Sequence, residues 1–279
     1  MNSIITTERI DAYCLSLLAD ERAAGTISKY RHDLTTFAHW LDGRAVTKES
    51  AAGWKSHLSH RGYAPRTINS MLAAVNGFCR FAGLPIKLKF LSIQRQIFRD
   101  SAKELSRQEY DRLLTAAREG GQERLALIME TLCATGIRVS ELRYITVEAA
   151  KAGRATITLK GKIRTILLPA KLCRKLVKYA KKQKTASGEV FLTKSGKPIS
   201  RRQVWYELKR LCKAAGVEPS KVFPHNLRHL FATTFYKACK DIARLADVLG
   251  HSSIDTTRIY LMVSGAEQQR QLDRLGLVS

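Results

Sequence analysis

A mainly α-helical chain of two domains with one small antiparallel sheet is the fold class this sequence predicts, and three observations predict it. Residues 5–83 carry four apolar stripes at helical spacing. Residues 84–104 lose that periodicity and gain basic side chains, which marks a break between two periodic regions. Beyond the break the pattern is helical again except over residues 154–169, where β-branched residues alternate on either side of a glycine turn. At 279 residues the chain is long enough for two cores of ordinary size.

In the first region the stripes are Ile10, Tyr13, Cys14 and Leu17; Tyr30, Leu34, Phe37 and Leu41; Trp54 and Leu58; and Ile68, Met71, Leu72, Val75, Phe78 and Phe81. Breaks are expected at Gly25, Asp42-Gly43, Gly62 to Pro65 and Gly83 to Pro85. Residues 1–84 are therefore expected to form a helical bundle. Residues 85–105, carrying Lys87, Lys89, Arg95, Arg99 and Lys103, read as an extended basic linker. A capping box at Ser106 and Glu109 then opens a second domain, residues 106–279. Helical stripes follow from Tyr110 to Ala117 and from Leu125 to Cys133. Next come a hairpin turning at Lys160-Gly161-Lys162 and helices over 172–182 and 200–212, the latter with Ser200 and Gln203 as a second capping box.

The charge narrows the partner. Lys and Arg number 48 against 24 acidic residues, a net charge of +24 with a pI near 10.1. The excess is +6 over residues 1–100 and +18 over residues 101–279, and the interval 149–188 holds twelve basic residues and no acidic one. Such a balance points to a polyanion. In the first domain Lys29 and Arg31 of TISKYR, and Arg66 of APRT, stand with small hydroxyl residues near expected helix starts, which suits DNA phosphates. Lys162, Arg164, Arg201 and Arg202 are taken as further DNA contacts in the second domain.

Six cysteines (Cys14, Cys79, Cys133, Cys173, Cys212 and Cys239) show no C-x-x-C spacing, so neither a zinc site nor a disulfide framework is indicated. The first residues lack a signal-peptide pattern and no apolar run approaches membrane-spanning length. A cytoplasmic nucleic-acid-binding protein with no membrane partner is expected.

The chemistry concentrates between His225 and Tyr260. His225 and Arg228 lie three residues apart on one face of a helix opened by Pro224, beside an apolar stripe of Leu227, Leu230, Phe231 and Phe235. Gly250 suits a helix C-cap, His251 follows it, and Ser253 can cap a last short helix carrying Tyr260. Upstream, Arg138 stands in ATGIRVSEL and Lys160 on the hairpin. Arginines and histidines can surround a phosphodiester whose oxygens gain charge in a transition state. A tyrosine supplies an oxygen nucleophile and a lysine can protonate the leaving oxygen.

With ATGIRVSEL, HNLRHLFAT and LGHSSIDTTRIY in this order, the chain resembles the tyrosine recombinase and phage integrase family, including Xer-like site-specific recombinases, along its whole length. The resemblance implies an N-terminal core-binding, SAM-like helical domain and an α+β catalytic domain. It implies that Arg138, Arg228 and His251 stabilise the pentavalent phosphate, that His225 assists proton transfer, and that Tyr260 forms a 3′-phosphotyrosyl link. Lys160 would protonate the departing 5′-hydroxyl, with Lys162 as its rival because the family often shows Gly-Lys-Gly there. Glu141 would orient Arg138. No metal or other cofactor is implied. The implied partners are double-stranded DNA with inverted-repeat sites, a tetramer of recombinases on it through a Holliday junction, and a second recombinase or a DNA-bending accessory protein. Type IB topoisomerase chemistry and a noncatalytic DNA-binding role are the alternatives.

Overall fold

The computed structural model describes residues 4–94, 101–159, 162–262 and 265–276. The chain divides into two compact units, Met1–Arg95 and Gln96–Ser279.

The first unit holds α1 (Thr7–Ala19), α2 (Ala24–Leu41), α3 (Lys48–His60) and α4 (Pro65–Phe81). Ile10, Tyr13, Leu34, Phe37, Leu41, Trp54, Leu58, Leu72, Val75 and Phe78 are buried together in its core, as the stripes require, whereas Phe81, read as the end of the fourth stripe, is exposed at the last position of α4. Gly25 is no break: it lies in the first turn of α2, and the chain turns earlier, where Glu21 takes a left-handed φ of 54°. Lys29 and Arg31 consequently lie beyond the first turn of α2. Both are engaged within the unit, Lys29 with Asp33 one turn on and Arg31 with Asp11 of α1. Arg66 does lie exposed in the first turn of α4.

The segment read as the start of the linker is extended, but it is bound to the bundle. Leu84 and Leu88 are buried, with Ile86 and Leu91 packed beside them. Asn76 of α4 gives Nδ2 to the Leu88 carbonyl at 3.0 Å and takes the Leu88 N–H on Oδ1 at 2.8 Å. Asn69 does the same for Leu91, at 2.9 and 2.7 Å. Each asparagine thus serves as a strand partner would, satisfying one N–H and one C=O. The other end of that stretch belongs to the second unit: Ser101–Lys103 forms a 3₁₀ turn, and the Lys103 carbonyl accepts from Asn226 Nδ2 at 2.8 Å.

The second unit opens with α5 (Arg107–Glu119), capped by the reciprocal Ser106 and Glu109 box. Next comes α6 (Glu123–Thr135), which is buried on most sides through Leu125, Leu127, Ile128, Met129 and Leu132. A 3₁₀ stretch (Val139–Tyr144) and α7 (Val147–Ala152) lead into the hairpin of β1 (Arg154–Leu159) and β2 (Lys162–Leu167). The strands are antiparallel, with Arg154 opposite Leu167 and Leu159 opposite Lys162. Ala155, Ile157 and Ile166 face the core while Ile163 and Leu167 are exposed. Then follow α8 (Ala170–Lys182) and α9 (Arg201–Ala215). Ser200 caps α9 by accepting the Gln203 N–H at 3.1 Å, but Gln203 Nε2 donates to Glu207 at 3.0 Å, so only half of the expected box forms. The chain continues through α10 (Pro224–Cys239) and α11 (Ile242–Leu249), and α12 (Gly265–Asp273) follows.

Between α11 and α12 the expected single short helix is replaced by two 3₁₀ turns, Ile254–Thr256 and Arg258–Tyr260, the first capped by Ser253. Two adjacent β-branched threonines, Thr256 and Thr257, disfavour a continuous helix there, and the Thr257 hydroxyl is committed to His251.

Candidate active site

The site is built where helix ends meet. α6 stops at Gly136, whose φ of +65° is a left-handed cap. A Cβ there would stand 2.3 Å from Phe231 Cδ1, so glycine is required by space as well as by backbone. The cap turns the Gly136 carbonyl toward α10, where Arg228 Nη1 donates to it at 2.6 Å. Arg228 Nη2 donates to the Leu249 carbonyl at the end of α11 at 2.8 Å and to His251 Nε2 at 3.0 Å. One guanidinium, 2% exposed, therefore ties α6, α10, α11 and the segment leading to Tyr260. Burial, then the neighbouring Arg138, lowers its pKa to about 10, with Tyr260 and Glu141 acting in the opposite sense. It stays cationic at neutral pH.

Arg138 begins the 3₁₀ stretch after α6. Its backbone N–H donates to Glu141 Oε2 at 2.7 Å and its Nη1 to Oε1 at 3.0 Å. Glu141 is 1% exposed and takes a third donor, Arg164 Nη2 from β2, on Oε2 at 2.7 Å. Arg164 Nη1 reaches the Val248 carbonyl of α11 at 3.1 Å. It also fills the space above Gly250, where an added Cβ would lie 2.3 Å from its Nη1. Arg164, expected to contact DNA, is instead turned inward, with its side chain only 16% exposed, because Glu141 and a helix-end carbonyl offer it partners that water would otherwise have to replace. It ties the hairpin and α11 to the carboxylate that holds Arg138.

This arrangement makes a prediction. Glu141→Gln leaves an amide facing two guanidiniums, and breaking a buried ion pair from one side costs about 3–5 kcal/mol. The variant is expected to unfold at visibly lower denaturant and to lose DNA cleavage further than stability accounts for. Denaturant titration beside a cleavage assay checks this; unchanged stability would show that Glu141 is not the brace.

His251 lies between Arg228 and Thr257, its Nδ1 2.9 Å from the Thr257 Oγ1. Burial, then Arg228, Arg138, Arg164 and His225, lowers its pKa to about 4. His225, exposed in the first turn of α10, is shifted downward by the same causes, desolvation first, then Arg228 and Arg138. Both imidazoles are neutral at pH 7 in the chain alone. A histidine whose folded pKa lies below its unfolded value contributes stability above about pH 6.5, lost as pH falls, because the unfolded chain then binds the extra proton. Thermal stability is therefore expected to fall between about pH 6.5 and 4, and His251→Gln to flatten part of that slope; equal slopes in parent and variant would contradict the assignment.

Tyr260 is buried, 3% exposed, against Ala232, Leu245 and Leu249. Its ring lies 6.1 Å from that of His251 with planes 13° apart, and meets the His229 ring edge-on at 4.9 Å. Beside this group a cavity of about 730 Å³ opens between Arg138, Ser140, His225 and Arg228 on one side and Arg201, Arg202 and Trp205 of α9 on the other. Arg138, Arg164 and Arg228 outnumber the Glu141 carboxylate, and Arg201 and Arg202 add to the excess, a positive setting for an anion. The structure thus brings Arg138, Glu141, His225, Arg228, His251 and Tyr260 into one neighbourhood and sets Arg201 and Arg202, exposed, at its rim. Lys160 and the Lys162 side chain lie outside the described residues.

Sequence reasoning passed over three residues here. His229 follows His225 by four positions and so shares its helix face, a signal present in the sequence; its Nε2 is 3.7 Å from Glu104 Oε1. Thr257 and Trp205 gave no such signal.

A helical two-unit protein whose second unit gathers arginines, histidines and a tyrosine around an anion pocket is of the class that works on phosphodiesters. Residues 103–267 match the phage integrase family, and residues 10–83 match its N-terminal SAM-like domain. A tyrosine recombinase XerA of Thermococcus kodakarensis is 30% identical, over 97% of this chain and 96% of that protein. A tyrosine recombinase XerC of Roseiflexus castenholzii is 32% identical, over 91% and 88%. Among solved structures, a lambda integrase tetramer bound to a Holliday junction shares the fold, with a TM-score of 0.75 at 19% identity over 93% of this chain and 78% of that one. The chain belongs to the phage integrase family and is a tyrosine site-specific recombinase.

Proposed function

We propose that the cavity beside Arg138 receives the scissile phosphodiester of duplex DNA and that Tyr260 is the nucleophile. The observation that carries this is the Arg228 fork, which holds His251 and the ends of α6 and α11 together beside Tyr260. A phosphate oxygen entering the cavity meets Arg138 and Arg228, whose planar donors match it, and His251 beside them, while His225, on the same helix face as Arg228, assists proton transfer. Negative charge developing on that oxygen is balanced by groups already oriented, so little reorganisation accompanies the reaction. Attack by the Tyr260 oxygen, whose proton passes to the neutral His225, forms the phosphotyrosyl ester at the 3′ side and breaks the bond to the 5′-oxygen, which Lys160 protonates. The ester conserves the energy of the broken phosphodiester, so resealing by another strand's 5′-hydroxyl requires no ATP.

Tyr260 is buried in the chain alone but already stands beside the Arg228 guanidinium, so DNA binding has to uncover its oxygen to the phosphate. Arg66, Arg201 and Arg202 are the exposed cations that contact the duplex; Lys29 and Arg31 can exchange their carboxylate partners for phosphates, since exposed ion pairs are worth only about 0–1 kcal/mol. By likeness to the lambda integrase tetramer bound to a Holliday junction, four protomers act together on DNA; the sites we propose are inverted repeats, and residues beyond Gly265 are proposed to dock on a neighbour. A second recombinase or a DNA-bending protein is a further proposed partner, and the reaction is proposed to take place in the cytoplasm.

Duplexes selected by the protein from a random-sequence pool, placed as two copies on a supercoiled plasmid, test this reading. Exchange between the copies, with no relaxation of a plasmid lacking them, is expected; relaxation of the site-free plasmid would favour a topoisomerase.

A further inference from the structure

His251 has a partner on each ring nitrogen, and the two contacts together fix its proton. A guanidinium has only donors, so the 3.0 Å contact from Arg228 Nη2 makes His251 Nε2 the acceptor. The ring is neutral and carries one proton, which is then on Nδ1 and points at the Thr257 Oγ1, 2.9 Å away. Thr257 is fully buried at 0% exposure between the two 3₁₀ turns, three residues before Tyr260. Its hydroxyl is therefore an oriented partner and no solvated bystander.

We infer that Thr257 is a positioning residue that anchors the Nδ1 side of His251 in either tautomer, and so lets the tautomer that Arg228 sets in the chain alone change when DNA binds. In the chain alone its oxygen accepts the Nδ1 proton, leaving Nε2 toward Arg228. An imidazole that must donate to a phosphate oxygen from Nε2 needs the opposite tautomer. A hydroxyl can both accept and donate, so the contact survives the change: when a phosphate oxygen takes the Arg228 N–H, the Thr257 hydroxyl turns to donate to Nδ1. One proton leaves Nδ1 to water and one is taken from water at Nε2, and the ring ends as neutral as it began. A methyl group in place of the hydroxyl can do neither. The inference rests on the reading of His251 as a phosphate-binding group, and it places the nucleophile's own turn in control of that group.

Two variants and two readouts test it. Nitrogen NMR of histidine-labelled full-length protein is expected to show His251 as Nδ1–H in the parent and in Thr257→Ser. In Thr257→Val Arg228 still donates to Nε2, so Nδ1–H is expected to remain, with its proton exchanging faster because it has lost its acceptor. In parallel, formation of the covalent DNA complex on selected duplexes is expected to slow about 10- to 100-fold in Thr257→Val, with DNA affinity unchanged and the rate restored by Thr257→Ser. An Nε2–H ring in the parent overturns the tautomer assignment, and a valine variant that cleaves at the parent rate, or whose Nδ1 proton exchanges as slowly as the parent's, overturns the positioning role. A parent that never forms the covalent complex overturns the phosphate-site reading instead, and the catalytic half of the inference with it.

Discussion

Tyr260→Phe is expected to yield no covalent protein–DNA complex while fold and DNA affinity stay at parent levels. The phenyl ring fills the same space against Ala232, Leu245 and Leu249, so the small core around it keeps its packing. What disappears is the oxygen proposed to bond phosphorus. Loss of a hydroxyl at a buried position also frees Arg228 of a neighbour that helps hold its charge, so a small stability change is expected and its direction is toward the unfolded state. Gel separation under denaturing conditions, after incubation with a nicked duplex whose cut fragment diffuses away, reads the covalent complex directly. Binding of the same duplex under native conditions serves as the control.

Arg228→Lys is expected to be nearly as damaging, although the charge is kept. Arg228 makes three contacts through two nitrogens in a fixed fork: the Gly136 carbonyl, the Leu249 carbonyl and His251 Nε2. A lysine ammonium is a single point on a flexible stem and cannot span the end of α6 and the end of α11 at once. At least one buried carbonyl is then unsatisfied, at about 1–3 kcal/mol. The phosphate also loses an oriented donor, which is worth about 10²–10³ in rate at comparable sites. The expected outcome is a lower melting temperature together with a rate of covalent complex formation down by at least that factor. A variant that loses rate with no loss of stability would mean that Arg228 meets the phosphate but does not brace the helix ends.

Much of this was legible in the sequence, for reasons particular residues make plain. The four stripes of the first unit are helical because apolar spacing alone decides a helix face, and the hairpin at residues 154–167 follows from alternation on either side of a glycine turn. Three short motifs carry the site because each packs its chemistry within a few residues of a helix end. Other features depend on tertiary meetings that spacing does not encode. Arg164 reads as one more cation of a basic strand, yet it turns inward to Glu141, 23 positions earlier in the chain. The tie between residues 84–91 and the bundle depends on Asn69 and Asn76, which look like ordinary polar positions on α4. The burial of Tyr260 was invisible for the same reason: it follows from how the two 3₁₀ turns fold back on α10 and α11. Thr257 became informative only once its hydroxyl was seen against His251.

The central claim is that Tyr260 alone makes the bond to DNA, and mapping the covalent adduct tests it most directly. Protein trapped on a nicked duplex is digested with a protease and nuclease, and the peptide carrying the residual nucleotide is sequenced by mass spectrometry. The nucleotide is expected on the tyrosine of the peptide that contains Ile259-Tyr260-Leu261, joined through its 3′-phosphate. A nucleotide found on any other residue, or joined through a 5′-phosphate, would contradict the account.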